Sequence, residues 1–353
     1  MLTKSAYQRG VLARHPISSG NQLSSVSPPN QHWFGPIPAY PVALTTANDM
    51  YEAFYGLKEK PFSIQPDPDF LYMGKRHSLA YTMLQYAIHN RAGFTVICGD
   101  IGCGKTTLIR RLLNELGNDV KVGLVTNTHP DLADLTEWIM LAFGQPYDAI
   151  SAVARYDAFQ RFLINEYSKK NRVVLIVDEA QNVNPAAMES LRMLSNINAD
   201  KDQLLQVVLV GQPQLRTLLK RPELQQFAQR VAADFYISPL NSVEVGDYID
   251  HRLKVAGRER QLFTPLATSK IAKAAQGIPR SINILCDTAL VYGFAAEARL
   301  IDVHLVDEVL NDRSQFGVLG DTNFRNSQSG NSHFGNSHFG DSSFSTPTDP
   351  PKV

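Results

Sequence analysis

Between residue 94 and about residue 240, short apolar runs alternate with segments whose apolar positions recur every three or four residues. The runs Phe94–Cys98, Lys121–Thr126, Val173–Val177, Leu205–Val210 and Ala233–Ile237 read as strands. Val173-Val174-Leu175-Ile176-Val177 has no polar alternation, which suits a strand covered on both faces and hence a parallel sheet. Helical spacing predicts helices over Lys105–Leu116, Asp131–Phe143 and Tyr156–Lys169. Asn184-Pro185 opens another to about Asn196, with Asn placed to cap and Pro at the first helical position. From about 241 to 312 the strands stop. Ser242–Ala256 has helical spacing, Thr264-Pro265 starts a helix that Gly277 ends, Arg280–Glu297 forms a third, and Asp302 caps a fourth to about Leu310. The expected class is α/β: a parallel five-stranded sheet flanked by helices over residues 50–240, followed by a small all-helical domain over 241–312.

Both flanks lose this periodicity. Residues 1–49 are rich in Ser, Pro, Asn and Gln and read as a disordered extension. Met50 reads as the native start, with a tether or interaction arm as the other reading of what precedes it. In the tail, 313–353, Gly330-Asn331-Ser332-His333-Phe334 recurs as Gly335-Asn336-Ser337-His338-Phe339 and imperfectly as Gly340-Asp341-Ser342-Ser343-Phe344. Such a repeat cannot bury a core, so disorder is expected. His333 and His338 could bind a metal or an aromatic partner; a plain flexible tail is the alternative.

The chain has 353 residues, enough for two packed domains. Its 34 Lys and Arg balance 34 Asp and Glu, so no global charge argues for nucleic acid. The local candidate is Arg252, Lys254, Arg258 and Arg260, which a solvated helix face explains equally well. The cysteines Cys98, Cys103 and Cys286 have neither metal spacing nor a disulfide framework, so a reducing cytoplasm fits. No apolar run reaches the roughly 18 residues of a membrane span. Lys4, Arg9 and Arg14 precede no apolar core of a secretory signal.

The candidate chemistry begins where the first strand ends. Gly99, Asp100, Ile101, Gly102, Cys103, Gly104, Lys105 and Thr106 have the G-x-x-x-x-G-K-[ST] spacing of a phosphate-binding loop between a strand and a helix, with Thr107 next in line. The glycines let successive N–H groups converge on a phosphate chain, and the helix adds its positive end. Lys105 would reach the β- and γ-phosphates of ATP or GTP, and the Thr106 hydroxyl would ligate Mg²⁺. A plain Gly-rich turn is the bland alternative. The strand Val173–Val177 delivers Asp178-Glu179. Asp178 would hold Mg²⁺, and Glu179 would orient and deprotonate the attacking water. Read alone, the same pair is a solvated acidic turn. The strand ending in Gly211-Gln212 offers Gln212, with Gln214 second, as a γ-phosphate sensor; a helix-start residue before Pro213 is the alternative. Arg230 lies where one ring subunit would present an arginine to its neighbour's γ-phosphate, with Arg221 and Arg216 as alternatives. Arg280, in Gly277-Ile278-Pro279-Arg280, could fold onto the nucleotide, or could pair with Asp287 or Glu297.

These features together resemble the AAA+ P-loop NTPases, and more narrowly the ExeA/GspA-type ATPases of general secretion and the similar MshM-type and exosortase-associated ATPases. The carrying motifs are Tyr51-Glu52-Ala53-Phe54-Tyr55-Gly56-Leu57, Pro61-Phe62, Pro66-Asp67-Pro68, Phe70-Leu71-Tyr72, and His77 before a helix. Downstream they are Ile176-Val177-Asp178-Glu179-Ala180-Gln181, Leu209-Val210-Gly211-Gln212-Pro213 and Gly277-Ile278-Pro279-Arg280-Ser281-Ile282-Asn283. The resemblance spans about 50–312. It implies a Mg²⁺-dependent ATPase that self-associates and serves an envelope-spanning secretion or pilus apparatus through a membrane-bound partner, in the cytoplasm or at the inner membrane. It implies that 61–77 flanks the adenine, with Phe62 or Leu71 near the base, and that the helical domain acts as a lid. ExeA-like proteins continue into a transmembrane helix and a peptidoglycan-binding domain. This chain carries the repeat tail instead, which favours an MshM-like role over direct cell-wall binding. Transposition ATPases resemble the same core, so a DNA-linked ATPase is one competing reading. A nucleotide-dependent interaction switch with little hydrolysis is another.

Overall fold

The computed structural model describes residues 50–126, 135–147, 151–199 and 202–316. The expectations for 1–49, for the start of the helix placed at Asp131, and for the tail beyond 316 lie outside them, while residues 313–316, expected to be disordered, continue the last helix. The chain opens with α1 (Glu52–Tyr55) and α2 (Lys75–His89), then β1 (Phe94–Gly99), α3 (Lys105–Glu115) and β2 (Val120–Val125). Next come α4 (Leu135–Ala142), α5 (Ala152–Ser168), β3 (Arg172–Val177) and α6 (Pro185–Leu194). A short antiparallel pairing of Asn198–Ala199 with Asp202–Gln203 precedes β4 (Leu205–Gly211), α7 (Pro213–Leu219), α8 (Gln225–Ala228) and β5 (Val231–Ile237). Four helices close the described chain: α9 (Ser242–Val255), α10 (Pro265–Ala275), α11 (Pro279–Ala295) and α12 (Val303–Phe316).

The five strands form one sheet in the order β2-β3-β4-β1-β5, every pairing parallel. The unbroken apolar runs follow from this. In β3, Val173, Leu175 and Val177 face a core shared with α4, α5 and α6, while Val174 and Ile176 face the opposite core with Leu108 and Leu112 of α3 and Leu84 of α2. A strand buried on both faces has no polar position to alternate. The helices start where the sequence supplies caps. Ser151 accepts from Ala154, Asn184 from Ala187 and Thr264 from Ala267. Asn241 and Glu244 form a reciprocal capping box at α9.

The helical domain has a core of its own, and that core reaches back to the start of the chain. Tyr51, Tyr55, Phe62 and Phe70 are buried with Ile249, Phe263, Ile282 and Leu290. The stretch around 51–70 therefore packs with the helices after residue 241, although it precedes the sheet. Phe62 is spent in this packing: its ring meets that of Phe263 edge-on at 5.9 Å, so it is a core residue rather than a wall for a bound base.

Candidate active site

Parallel pairing puts the C-terminal ends of β1, β3 and β4 at one level. The register sets Cys98 beside Gly211 and Val177 beside Leu209. One residue further on, the three strands release the loop Gly99–Thr106, the pair Asp178-Glu179, and Gln212. Ligands of open α/β sheets bind along this edge.

The loop turns through Gly102 (φ +83°) and Gly104 (φ +87°), conformations that a side chain disfavours. Lys105 is buried and donates from Nζ to the carbonyls of Gly99 (2.9 Å) and Asp100 (3.0 Å). The Thr106 hydroxyl donates to Asp178 Oδ2 at 2.9 Å. Burial raises the Asp178 carboxyl above the ordinary Asp range, opposed by that hydroxyl and by the Glu179 N–H. Glu179 occupies the left-handed region at φ +53°. Its Oε2 accepts from Gln181 Nε2 (2.6 Å) and from Gln212 Nε2 (3.1 Å). Cys103, inside the loop, is fully buried, and burial pushes its thiol to about 11. It is therefore a packing residue and not a thiolate nucleophile.

His77 braces the loop from α2. Its ring nitrogen Nε2 lies 2.8 Å from the Cys103 carbonyl, which can only accept, so Nε2 carries the proton. Burial lowers the His77 pKa, consistent with a neutral ring. The helical domain closes the site from the other side. The Arg280 N–H, at the first turn of α11, donates to the Gly102 carbonyl at 3.2 Å. A Cβ on Gly102 would lie 2.6 Å from Arg280 Cβ, so this approach requires glycine. The cleft between them is lined by Pro66, Leu71, Tyr72, His77 and Arg280 along with the loop. Leu71, one of the two residues expected near the base, lines this cleft.

The remaining candidates divide. Arg280 makes no ion pair among the described residues, and Asp287 instead accepts from the Tyr51 hydroxyl. Arg216 is bound to Asp234 at 2.8 Å and lies over Tyr236. Arg221 pairs with Glu223 at 3.8 Å, and Gln214 is exposed. Arg230 is exposed, immediately before β5, with its guanidinium on Asn196. Val231 pairs with Phe94, at the start of β1, so Arg230 sits at the sheet end opposite the loop.

The basic stretch weighed for nucleic acid does not form one face. Arg252 is 6% exposed. It donates to the carbonyls of Pro61 and Ser63 and to the Tyr248 hydroxyl, and it stacks on Phe70 at 4.8 Å. Arg258 bonds the Tyr55 carbonyl. Both arginines fasten α9 and the loop after it to the 51–70 stretch, which removes them from a DNA-facing surface. Asn283 completes the network, donating to the Ser63 carbonyl (3.1 Å) and accepting from Tyr248 (2.7 Å). The sequence reading missed these partners because backbone carbonyls leave no pattern of residue types. It assigned no role to Gln181, although that residue closes the motif Ile176–Gln181.

A family model described as an AAA domain matches residues 88–219. General secretion pathway protein A of Aeromonas hydrophila is 40% identical over 247 residues, covering 70% of this chain and 45% of that protein. The match therefore spans less than half of the relative's length. Among solved structures, Drosophila ORC bound to DNA superposes with a TM-score of 0.55 at 17% identity, covering 81% of this chain and 72% of that one. The ADP form of Aeropyrum pernix ORC2 gives 0.53 at 17%, covering 71% and 70%. At such identity the likeness is one of fold. The chain carries an AAA domain on a P-loop α/β sheet, and over 70% of its length it is similar to general secretion pathway protein A.

Proposed function

We propose that this chain binds ATP with Mg²⁺ in the cleft beneath its helical domain, hydrolyses it, and does so as a self-associating factor for an envelope secretion or pilus apparatus. The observation that carries the chemistry is the convergence of Lys105, Thr106, Asp178 and Glu179 on one edge of the sheet. Lys105 holds two loop carbonyls that phosphate oxygens would replace, and the N–H groups from Gly99 to Thr107 surround the same place. Thr106 and Asp178 supply an oxygen pair of the kind Mg²⁺ prefers, and the bound ion would neutralise charge on the phosphates. Glu179 takes the proton of the attacking water, and Gln212, touching it, helps place that water. Arg280 ties the state of the site to the helical domain through its contact with Gly102.

Arg230 lies too far from its own loop to act there, so the proposed finger serves a neighbouring copy. The apparatus-level reading rests on the secretion relative. No helix among the described residues is long and apolar enough to cross a membrane; the membrane contact proposed for the chain is one with a membrane-bound partner protein.

The deciding experiment measures ATP hydrolysis by the full chain against protein concentration. Turnover per subunit should rise with concentration, and Lys105→Ala should abolish it. ATP binding without turnover at any concentration would favour the switch reading. Arg230→Ala should lower kcat by about 1,000-fold with ATP affinity unchanged. Mixing that variant with Glu179→Gln should then recover activity that neither has alone, because one copy supplies the base and the other the finger. Absence of recovery would dismiss Arg230 as a finger.

A further inference from the structure

We infer that Gln181 is the positioning residue of the hydrolytic base, a role that rests on the proposed ATPase activity. Its side-chain amide bridges two parts of the site that belong to different strands. Nε2 donates to Glu179 Oε2 at 2.6 Å, and Oε1 accepts the backbone N–H of Gln212 at 2.9 Å. The orientation of the amide follows from these partners. Flipped, it would set an oxygen against a carboxylate and an NH₂ group against an N–H.

The fold makes room for this bridge. Gln181 sits in a short 3-10 turn (Ala180–Asn182) that begins directly at Glu179. Opposite it, a Cβ on Gly211 would lie 2.8 Å from Gln181 Oε1 and 2.9 Å from Leu215 Cδ2. The Gly-Gln at the end of β4 thus has two functions: glycine admits the amide, and the next residue binds it from its backbone and reaches Glu179 with its side chain.

Glu179 needs this support because its own backbone stands in the left-handed region at the tip of β3, where a carboxylate on three rotatable bonds has many orientations. Two amide donors on one oxygen fix the plane of the group. Movement of β4 against β3 is transmitted to the base through Gln181, so a γ-phosphate touching Gln212 and the base that deprotonates the attacking water are mechanically linked. Positioning of this kind is expressed in kcat and leaves nucleotide binding untouched.

The test compares full-length Gln181→Leu, Gly211→Ala and the parent for kcat, KM, ATP affinity and thermal unfolding. Gln181→Leu should lower kcat by about 10- to 100-fold, with KM and affinity within about twofold of the parent. Gly211→Ala, which displaces the amide without removing it, should lower kcat in the same way. In the Glu179→Gln background, loss of Gln181 should cost less than about twofold more, since no carboxylate is left to position. Additive losses, or a Gln181→Leu enzyme with parental kcat, would overturn the assignment while leaving the ATPase reading intact. A parent that binds ATP and never turns it over would instead overturn the ATPase reading, and this role with it.

Discussion

Glu179→Gln is expected to bind ATP as tightly as the parent and to hydrolyse it between about 100- and 10,000-fold more slowly. The substitution keeps the shape of the side chain and removes only its basicity. The oxygen that accepts from Gln181 and Gln212 can remain in place, because a glutamine carbonyl accepts the same two bonds. The Asp178–Thr106 bond and the Lys105 contacts do not involve the Glu179 side chain. Equilibrium binding of ATP measures the first half of the expectation, and phosphate release under saturating ATP the second. A variant that loses affinity along with turnover would make Glu179 a structural residue of the strand tip. A variant that keeps turnover would place the base elsewhere, with Asp178 the only other carboxylate delivered by β3.

That this prediction can be made at all reflects what one-dimensional spacing encodes. The loop from Gly99 to Thr106 and the acids at 178–179 are contiguous motifs at the ends of strands, and a strand end is visible wherever an apolar run stops. Their meeting in space needed only one further fact, a parallel sheet, which the unbroken runs supply. The register then aligned Gln212 with them. What the sequence hid is of a different kind. Arg252 reads as one more cation in a polar helix, yet it is buried because the carbonyls of Pro61 and Ser63 and the ring of Phe70 lie against it. Those partners are almost two hundred residues away, and two of them are backbone atoms that any residue would provide. The attachment of 51–70 to the helical domain was hidden for the same reason: apolar residues announce burial without naming the core they enter. Gln181 shows a third limit. Its role depends on the absence of a Cβ at Gly211, a feature of space that no residue count exposes.

The attachment has a mechanical consequence. The cleft is walled by Leu71 and Tyr72, which follow the 51–70 stretch, and by Arg280, which belongs to α11. Arg252 and Asn283 both hold the Ser63 carbonyl, from α9 and α11 respectively. Tyr72 and Arg280 therefore belong to one packed unit, so a shift of the helical domain would carry these two together, whereas Leu71 is buried in the sheet-side core with α2 and α3.

Gly277→Ala tests how rigidly that unit is seated. Gly277 has φ +71°, and a Cβ there would overlap the Leu240 carbonyl oxygen. The same two residues are joined by a hydrogen bond from the Leu240 N–H to the Gly277 carbonyl at 2.9 Å. This is where the chain enters the helical domain and where α10 turns into α11, so neither segment can move without the other. An alanine should cost about 1–2 kcal/mol for the left-handed backbone and about 1–3 kcal/mol more for displacing Leu240. At this chain length each kcal/mol is worth roughly 2–4 °C, so the melting temperature should fall by about 4–20 °C. Gly144→Ala is the control. Gly144 also has positive φ, at +65°, but a Cβ there meets nothing within 4 Å, so it should lose only the backbone part. The difference between the two variants isolates the contact with Leu240. Gly277→Ala should also weaken ATP binding, because Pro279 and Arg280 follow directly and the Arg280 N–H holds the Gly102 carbonyl of the phosphate loop. If both alanines lowered the melting temperature equally and left ATP affinity alone, the turn at Gly277 would be compliant, and the helical domain would be free to reseat without disturbing the loop.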